Sequence, residues 1–210
     1  MPLRNSSIAG FVLAGGASLR MGRDKALLVI GGETMLARQV RLLRLVCRSA
    51  AALGPPERLQ PLGVPIIADE ISGRGPLAGI YAALLHSRTE YNLLLSCDMP
   101  FMEPRFLRSL CRLAMESAAD VTLPEAQDLG SRLLRLHPLC AVYRKKALPA
   151  VRASLVLDEN RVSRFIRHVP CRVWHWREIH RAGFRPNIFA NMNTFADYEA
   201  AIRMIVDGRA

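Results

Sequence analysis

The chain alternates short, almost unbroken apolar runs with longer stretches in which apolar residues recur every three or four positions. The first run, residues 7–14, holds Ile8, Phe11, Val12 and Leu13 with hardly a polar group, the pattern of a buried strand. Behind Thr34, a residue suited to cap a helix, Leu36, Val40 and Leu43 return at helical spacing, while Arg38, Arg41 and Arg44 fall mostly off that stripe. Residues 54–65 are rich in Gly and Pro and read as irregular, with room for a short edge strand, leading into Val64-Pro65-Ile66-Ile67. Residues 91–97, YNLLLSC, are the most strand-like segment of all. Pro104 opens another helix with Phe106, Leu107, Leu110, Leu113 and Ala114 on its apolar face. Residues 119–123 read as a strand and 124–129 as a polar loop.

This alternation through the first 125 residues predicts an α/β fold: a mostly parallel sheet covered on both faces. The last third is less regular. Strands are expected at 139–143 and, as an outer strand, at 169–176; helices are expected at 148–157, 162–166 and 195–205. Antiparallel additions to the sheet belong here.

Two glycine-rich segments interrupt the pattern. After the first strand comes Gly15-Gly16-Ala17-Ser18, followed by Arg20, Arg23, Asp24 and Lys25, where a turning backbone and cationic side chains together suit an anion. The segment fits neither G-x-x-x-x-G-K-[ST] nor G-x-G-x-x-G, because Lys25 is displaced from Gly22 and Gly15 and Gly16 are adjacent. An ordinary βα turn is the competing reading, weakened by so many charges at the carboxyl end of a buried strand. The second segment, GRGPLAG at 73–79, reads as a loop feeding a helix at 80–85, whose free N–H groups suit an anion or simply end a structural loop. Asp98 follows the strand at 91–97 and is placed either to hold a hard cation against phosphates or to cap the next helix. His137 could face a ligand or pack, and Asn191 and Asn193 could hydrogen-bond a ligand or cap the last helix.

Composition narrows the choice. The 210 residues suffice for one well-packed domain, half of them are hydrophobic, and no stretch approaches the ~18 apolar residues of a membrane span. No secretory leader is evident, and the five cysteines form no CxxC pair, so reduced, mostly buried thiols in a cytoplasmic protein are expected. The net charge of +11 is concentrated: residues 131–185 carry 13 Arg or Lys against three acids. That balance attracts anions, but no helix-turn-helix, zinc-finger or RNP pattern accompanies it, so nucleic acid is not expected as a partner. His168, His175 and His180 show no metal-site spacing.

Five segments in order, LAGGASLRMGRDKALL (13–28), GPLAGIYAAL (75–84), LLSCDMPF (94–101), HPLCAVY (137–143) and NMNTFADY (191–198), closely resemble the molybdenum cofactor guanylyltransferases, within the larger nucleotidyltransferase group. The resemblance runs nearly end to end, and its first and third segments are the specific ones. It implies a Rossmann-like three-layer α/β/α nucleotidyltransferase fold in one domain, with a nucleotide-binding part at about 7–125 and an acceptor-binding part at about 126–210. The implied reaction transfers GMP from GTP to the terminal phosphate of molybdopterin, releasing pyrophosphate. The alternatives are a sibling using CTP or another acceptor and, further off, a non-enzymatic chaperone.

By the same resemblance, Leu13, Ala14, Gly15, Gly16 and Asp69 would contact the nucleotide, Arg20 and Lys25 would grip the triphosphate, and Asp98 would hold Mg²⁺. Gly15 in LAGG, where cytidylyl-transferring members read LAAG, favours guanine. Asn191, Asn193 and His137 would lie on the acceptor side. Candidate further partners are molybdenum-insertion proteins and molybdoenzyme chaperones, and the implied state is a monomer. The last motif departs from the usual N-x-N-T-P: Phe195 stands for the proline, Ala196 for an acid and Tyr198 for a leucine.

Overall fold

In the computed structural model, which describes residues 5–15, 24–68, 71, 73–127 and 133–207, the first apolar run becomes β1 (Asn5–Leu13). Successive side chains of a strand point to opposite faces. Accordingly Ile8 and Val12 enter one core, with α1 (Met35–Arg44), and Ala9 and Phe11 enter the other. Gly10 sits on the α1 side, where a Cβ would lie 3.0 Å from Leu43 Cβ and 3.1 Å from Cys47 Sγ. Glycine there lets the helix approach the strand.

Between β1 and α1 run a short 3₁₀ turn, Lys25–Leu27, and a hairpin of β2 (Val29–Ile30) and β3 (Glu33–Thr34). Gly31 and Gly32 carry the hairpin turn at φ 61° and 84°. Thr34 caps α1 as expected, its hydroxyl accepting from Ala37 N at 3.2 Å. The chain continues through β4 (Cys47–Leu53), α2 (Pro56–Leu59), β5 (Ile66–Ile67), α3 (Gly75–His86), β6 (Tyr91–Ser96), α4 (Pro104–Met115) and β7 (Val121–Gln127). Then follow β8 (Leu134–Leu136), β9 (Cys140–Arg144), α5 (Leu148–Val156), α6 (Val162–Phe165), β10 (Cys171–Trp174), α7 (Trp176–Arg181) and α8 (Phe195–Val206).

The sheet order is β10-β7-β9-β6-β1-β4-β5, with β8 paired to β7. β9 runs antiparallel to both β6 and β7, and β8 is antiparallel to β7; the pairs β1–β4, β1–β6, β4–β5 and β7–β10 are parallel. Helices α1, α4 and α7 pack on one face through Leu36, Leu43, Phe106, Leu110 and Ile179. Helices α3, α5 and α6 cover the other through Leu77, Ile80, Val151, Leu155 and Phe165. This is the expected three-layer α/β fold, with antiparallel strands entering in its last third. Phe106 stacks on Trp174 at 5.1 Å, with Phe184 and Phe189 edge-on, and this aromatic group fixes the β10 end.

Two expectations need correction, and one strand was not expected at all. β4 lies between β1 and the edge strand β5, and CRSAAAL has neither strand alternation nor β-branched residues, so nothing in its pattern announces it. Helix α3 begins at Gly75, so most of GRGPLAG is its first turn and not a loop; Ala78, Gly79, Ala82 and Ala83 are buried, small enough for close packing on the sheet. Residues 124–127 continue β7 past Pro124, because β8 and β10 supply the pairing that a lone polar segment would lack.

Candidate active site

The carboxyl ends of three parallel strands line up: Leu53 of β4 pairs with Leu13 of β1, and Leu13 pairs with Ser96 of β6. From β1 the chain crosses to β4 on one side and later returns as β6 on the other. Such a point leaves a crevice at the carboxyl ends, the usual ligand position in open α/β sheets.

A cleft of about 500 Å³ opens there, lined by Leu13, Ala14, Gly15, Asp24, Lys25 and Asp98, with Gly75, Pro76 and Gly79 at the N-terminus of α3. A second cavity of about 510 Å³ lies between the 133–137 segment and α8, where His137, Asn191 and Asn193 meet Arg135 and Asp197. A third hollow joins them, sharing Ser96, Asp98 and Leu139 with the first and Arg135, His137, Asn191 and Asn193 with the second. Asp98 therefore stands where two binding spaces meet.

The electrostatic arrangement at that junction is specific. Lys25 Nζ lies 3.1 Å from Asp98 Oδ2 and 3.0 Å from Asn193 Oδ1. Ser96 Oγ donates to the other carboxylate oxygen of Asp98 at 2.6 Å. The Asp98 side chain does not cap a helix: the residue preceding α4 is Glu103. Its backbone is held too, since Met192 N donates to Asp98 O at 2.9 Å, while α1 supplies Gln39 Nε2 to Met99 O at 2.6 Å and Arg38 Nε to Pro100 O at 3.1 Å.

Asn193 reaches Lys25 because α8 has a reciprocal cap. The Thr194 hydroxyl accepts from Asp197 N at 3.2 Å, and Asp197 Oδ2 accepts from Asn193 N at 2.9 Å and Thr194 N at 2.8 Å. Burial works to raise the Asp197 carboxyl. The Thr194 and Asn193 amides, the Thr194 hydroxyl and the nearby Lys25 charge outweigh it and hold the group below the usual carboxylate range.

His137 has its ring against Phe189, 4.8 Å between centroids, and also lines the second cavity, so packing and exposure to the groove coexist in one residue. Gly16, Arg20 and Asp69 fall outside the described residues. Ser96, Arg74, Arg135, Asp24 and Asp197 line these spaces without having been singled out for them beforehand. Ser96 and Asp197 adjoin motif residues; the position of Arg135 depends on β8, which the pattern does not show. Of the cations expected to form a basic face, Arg144, Lys146, Arg164 and Arg172 instead pair with Glu90, Asp120, Glu159 and Glu178.

Cys47, Cys97, Cys111, Cys140 and Cys171 are free; burial pushes Cys97, which borders the cleft, up to about 12, and no described helix is long and apolar enough to cross a membrane.

Residues 10–174 match the family model of the MobA-like NTP transferase domain. The chain belongs to this family. A relative from Mycobacterium marinum, named probable molybdenum cofactor guanylyltransferase, is 34% identical over 206 residues, covering 94% of each chain. One of the same name from Carboxydothermus hydrogenoformans is 30% identical, covering 96% of this chain and 98% of its own. Molybdopterin-guanine dinucleotide biosynthesis protein A from Archaeoglobus fulgidus superposes with a TM-score of 0.81 at 20% identity, over 95% of this chain and 99% of that one, a likeness of fold.

Proposed function

We propose that this chain transfers GMP from GTP to the terminal phosphate of molybdopterin, forming molybdopterin guanine dinucleotide and releasing pyrophosphate. The observation that carries the reading is the Lys25–Asp98 pair, 3.1 Å apart where the two spaces join. The names of the relatives supply the acceptor and the nucleotide.

GTP occupies the cleft beside Leu13, Ala14 and Gly15, and molybdopterin occupies the cavity beside Asn191, Asn193 and His137. An oxygen of the acceptor phosphate attacks the α-phosphorus; the new P–O bond forms as the α–β bridging bond breaks, and the electron pair leaves with pyrophosphate. The attacking phosphate is already anionic at neutral pH, so the work falls to alignment and charge stabilisation, and no strong general base is needed. Lys25 neutralises the α-phosphoryl oxygens and the departing charge. Asn193 keeps the ammonium oriented from the acceptor side, and the N-terminal amides of α3 face the nucleotide.

Asp98 is suited to hold Mg²⁺. Magnesium is commonly bound through one or two carboxylates with phosphate oxygens and water completing its shell. A single carboxylate that lines the cleft and is held in place by Ser96 fits that pattern. The ion, when bound, supplies charge neutralisation on the phosphates; Ser96 keeps the carboxylate turned toward the cleft.

Pyrophosphate release with each NTP and Mg²⁺, with and without molybdopterin, tests the reading. GTP with molybdopterin is expected to turn over, and Asp98→Ala to abolish turnover. Activity with CTP and not GTP overturns the choice of base, full activity of Asp98→Ala overturns the role given to Asp98, and no turnover with any NTP overturns the transfer reaction.

A further inference from the structure

The turn after β4 takes no part in the transfer chemistry above, yet it touches both ends of the segment 16–23. At the entering end, Ala14 N donates to Leu53 O at 3.0 Å. Gly54, at φ +150°, lies directly under that end: a Cβ there would come within 3.3 Å of Ala14 C and Gly15 Cα. From α2, Arg58 Nη2 donates to the Ala14 carbonyl. At the leaving end, Arg58 Nε sits 3.0 Å from Asp24 Oδ2, a charge contact outside hydrogen-bond alignment. The other Asp24 oxygen accepts from Ala26 N at 3.0 Å and so caps the 3₁₀ turn that starts with Lys25.

We propose that Arg58 is a positioning residue for nucleotidyl transfer, acting through Ala14 and Asp24 to fix Lys25 against the nucleotide cleft. The inference rests on the nucleotide-binding role proposed for that cleft. One planar guanidinium spans the end of β1 and the cap of the Lys25 turn, a two-point contact that its rigid fork allows. The contact is screened less than a surface pair would be, because the Arg58 and Asp24 side chains keep only 26% and 15% of their exposure. It adds a direct link between the strand end and the Lys25 turn to the one that runs through Cys97 and Asp98. Lysine has no planar fork, so its ammonium cannot reproduce the same two-point geometry across the Ala14 carbonyl and Asp24.

The test compares wild type, Arg58→Ala, Arg58→Lys, Asp24→Asn and the double variant Arg58→Ala/Asp24→Asn. It reads GTP·Mg²⁺ dissociation constants, kcat and KM for each substrate, and melting temperature. Misplacement of a catalytic group by about 1 Å can cost about 100-fold. Arg58→Ala is therefore expected to lose 10- to 100-fold in kcat/KM for GTP while the KM for molybdopterin stays within about twofold. Arg58→Lys should recover part of the loss, and the double variant should be no worse than Arg58→Ala alone. Nucleotide constants within twofold of wild type in a folded Arg58→Ala protein overturn the proposal. So does an equal loss toward both substrates that follows the fall in melting temperature. If wild type binds GTP but transfers nothing to molybdopterin, the proposed function fails, while the dissociation constants of the variants still decide the role of Arg58.

Discussion

Lys25 carries two contacts at once, to Asp98 at 3.1 Å and to Asn193 at 3.0 Å, and neither partner can replace its charge. Lys25→Ala leaves a carboxylate and an amide facing the position where phosphoryl charge develops. Removing one preorganised donor of this kind costs about 10²–10³ in turnover. Steady-state pyrophosphate release should show that loss in kcat, with a smaller change in the KM for molybdopterin, whose proposed contacts lie in the other cavity. Asp98 was legible as a candidate because it follows the strand at 91–97, and Lys25 because it closes a run of charges behind the glycines after the first strand; strand ends are where α/β sheets place ligands. Arg58 was not: its partners Ala14 and Asp24 come from a different element, and a lone arginine in a Gly- and Pro-rich stretch looks like any solvated cation.

At the scale of elements, α8 brings Asn193 to the Lys25–Asp98 pair, and its cap is the joint. Thr194→Ala removes the acceptor for Asp197 N and is expected to cost about 0.5–2 kcal/mol, measured by denaturant unfolding. Asp197 gives that joint a pH dependence. Its carboxyl is held below the ordinary 3.8, so the stability it contributes is fully present above that value and is lost as pH falls through the folded-state value. Asp197→Asn should lower stability at pH 7 and flatten its decline on the acid side, read as unfolding free energy between pH 7 and pH 3. Asn191 and Asn193 were the candidates for capping α8, but Thr194 is the residue that caps it. The substitution of Phe195 for the family's usual proline leaves the cap intact, since both hydrogen bonds of the box form. Elements with a strong periodic signal, such as α1, α4 and β6, stood out for the same reason they fold: one residue pattern matches one environment. β4 was hidden because two neighbouring strands and the α1 packing stabilise an alanine-rich segment whose own preference is weak.

In the proposed reading the whole molecule joins a nucleotide cleft to an acceptor cavity near Asp98, and this arrangement makes a global prediction. The cleft is walled by β1, β6 and the start of α3, elements from opposite core layers, so a ligand bridging them binds the native chain and not the unfolded one. Linkage then raises stability by RT ln(1 + [L]/Kd), about 2.7 kcal/mol at a hundredfold excess over Kd. For a domain of this size each kcal/mol moves the melting temperature by about 2–4 °C. GTP with Mg²⁺ at that excess should therefore raise the midpoint by roughly 5–10 °C, measured by differential scanning fluorimetry or calorimetry. At the same concentration CTP should give a much smaller shift if the contacts near Gly15 select guanine. Asp98→Ala should lose the part of the GTP shift that depends on Mg²⁺ while keeping any part that persists in EDTA. Equal shifts for all four nucleotides would show that the cleft reads the triphosphate alone, and the choice of base would then have to be made during transfer and not on binding.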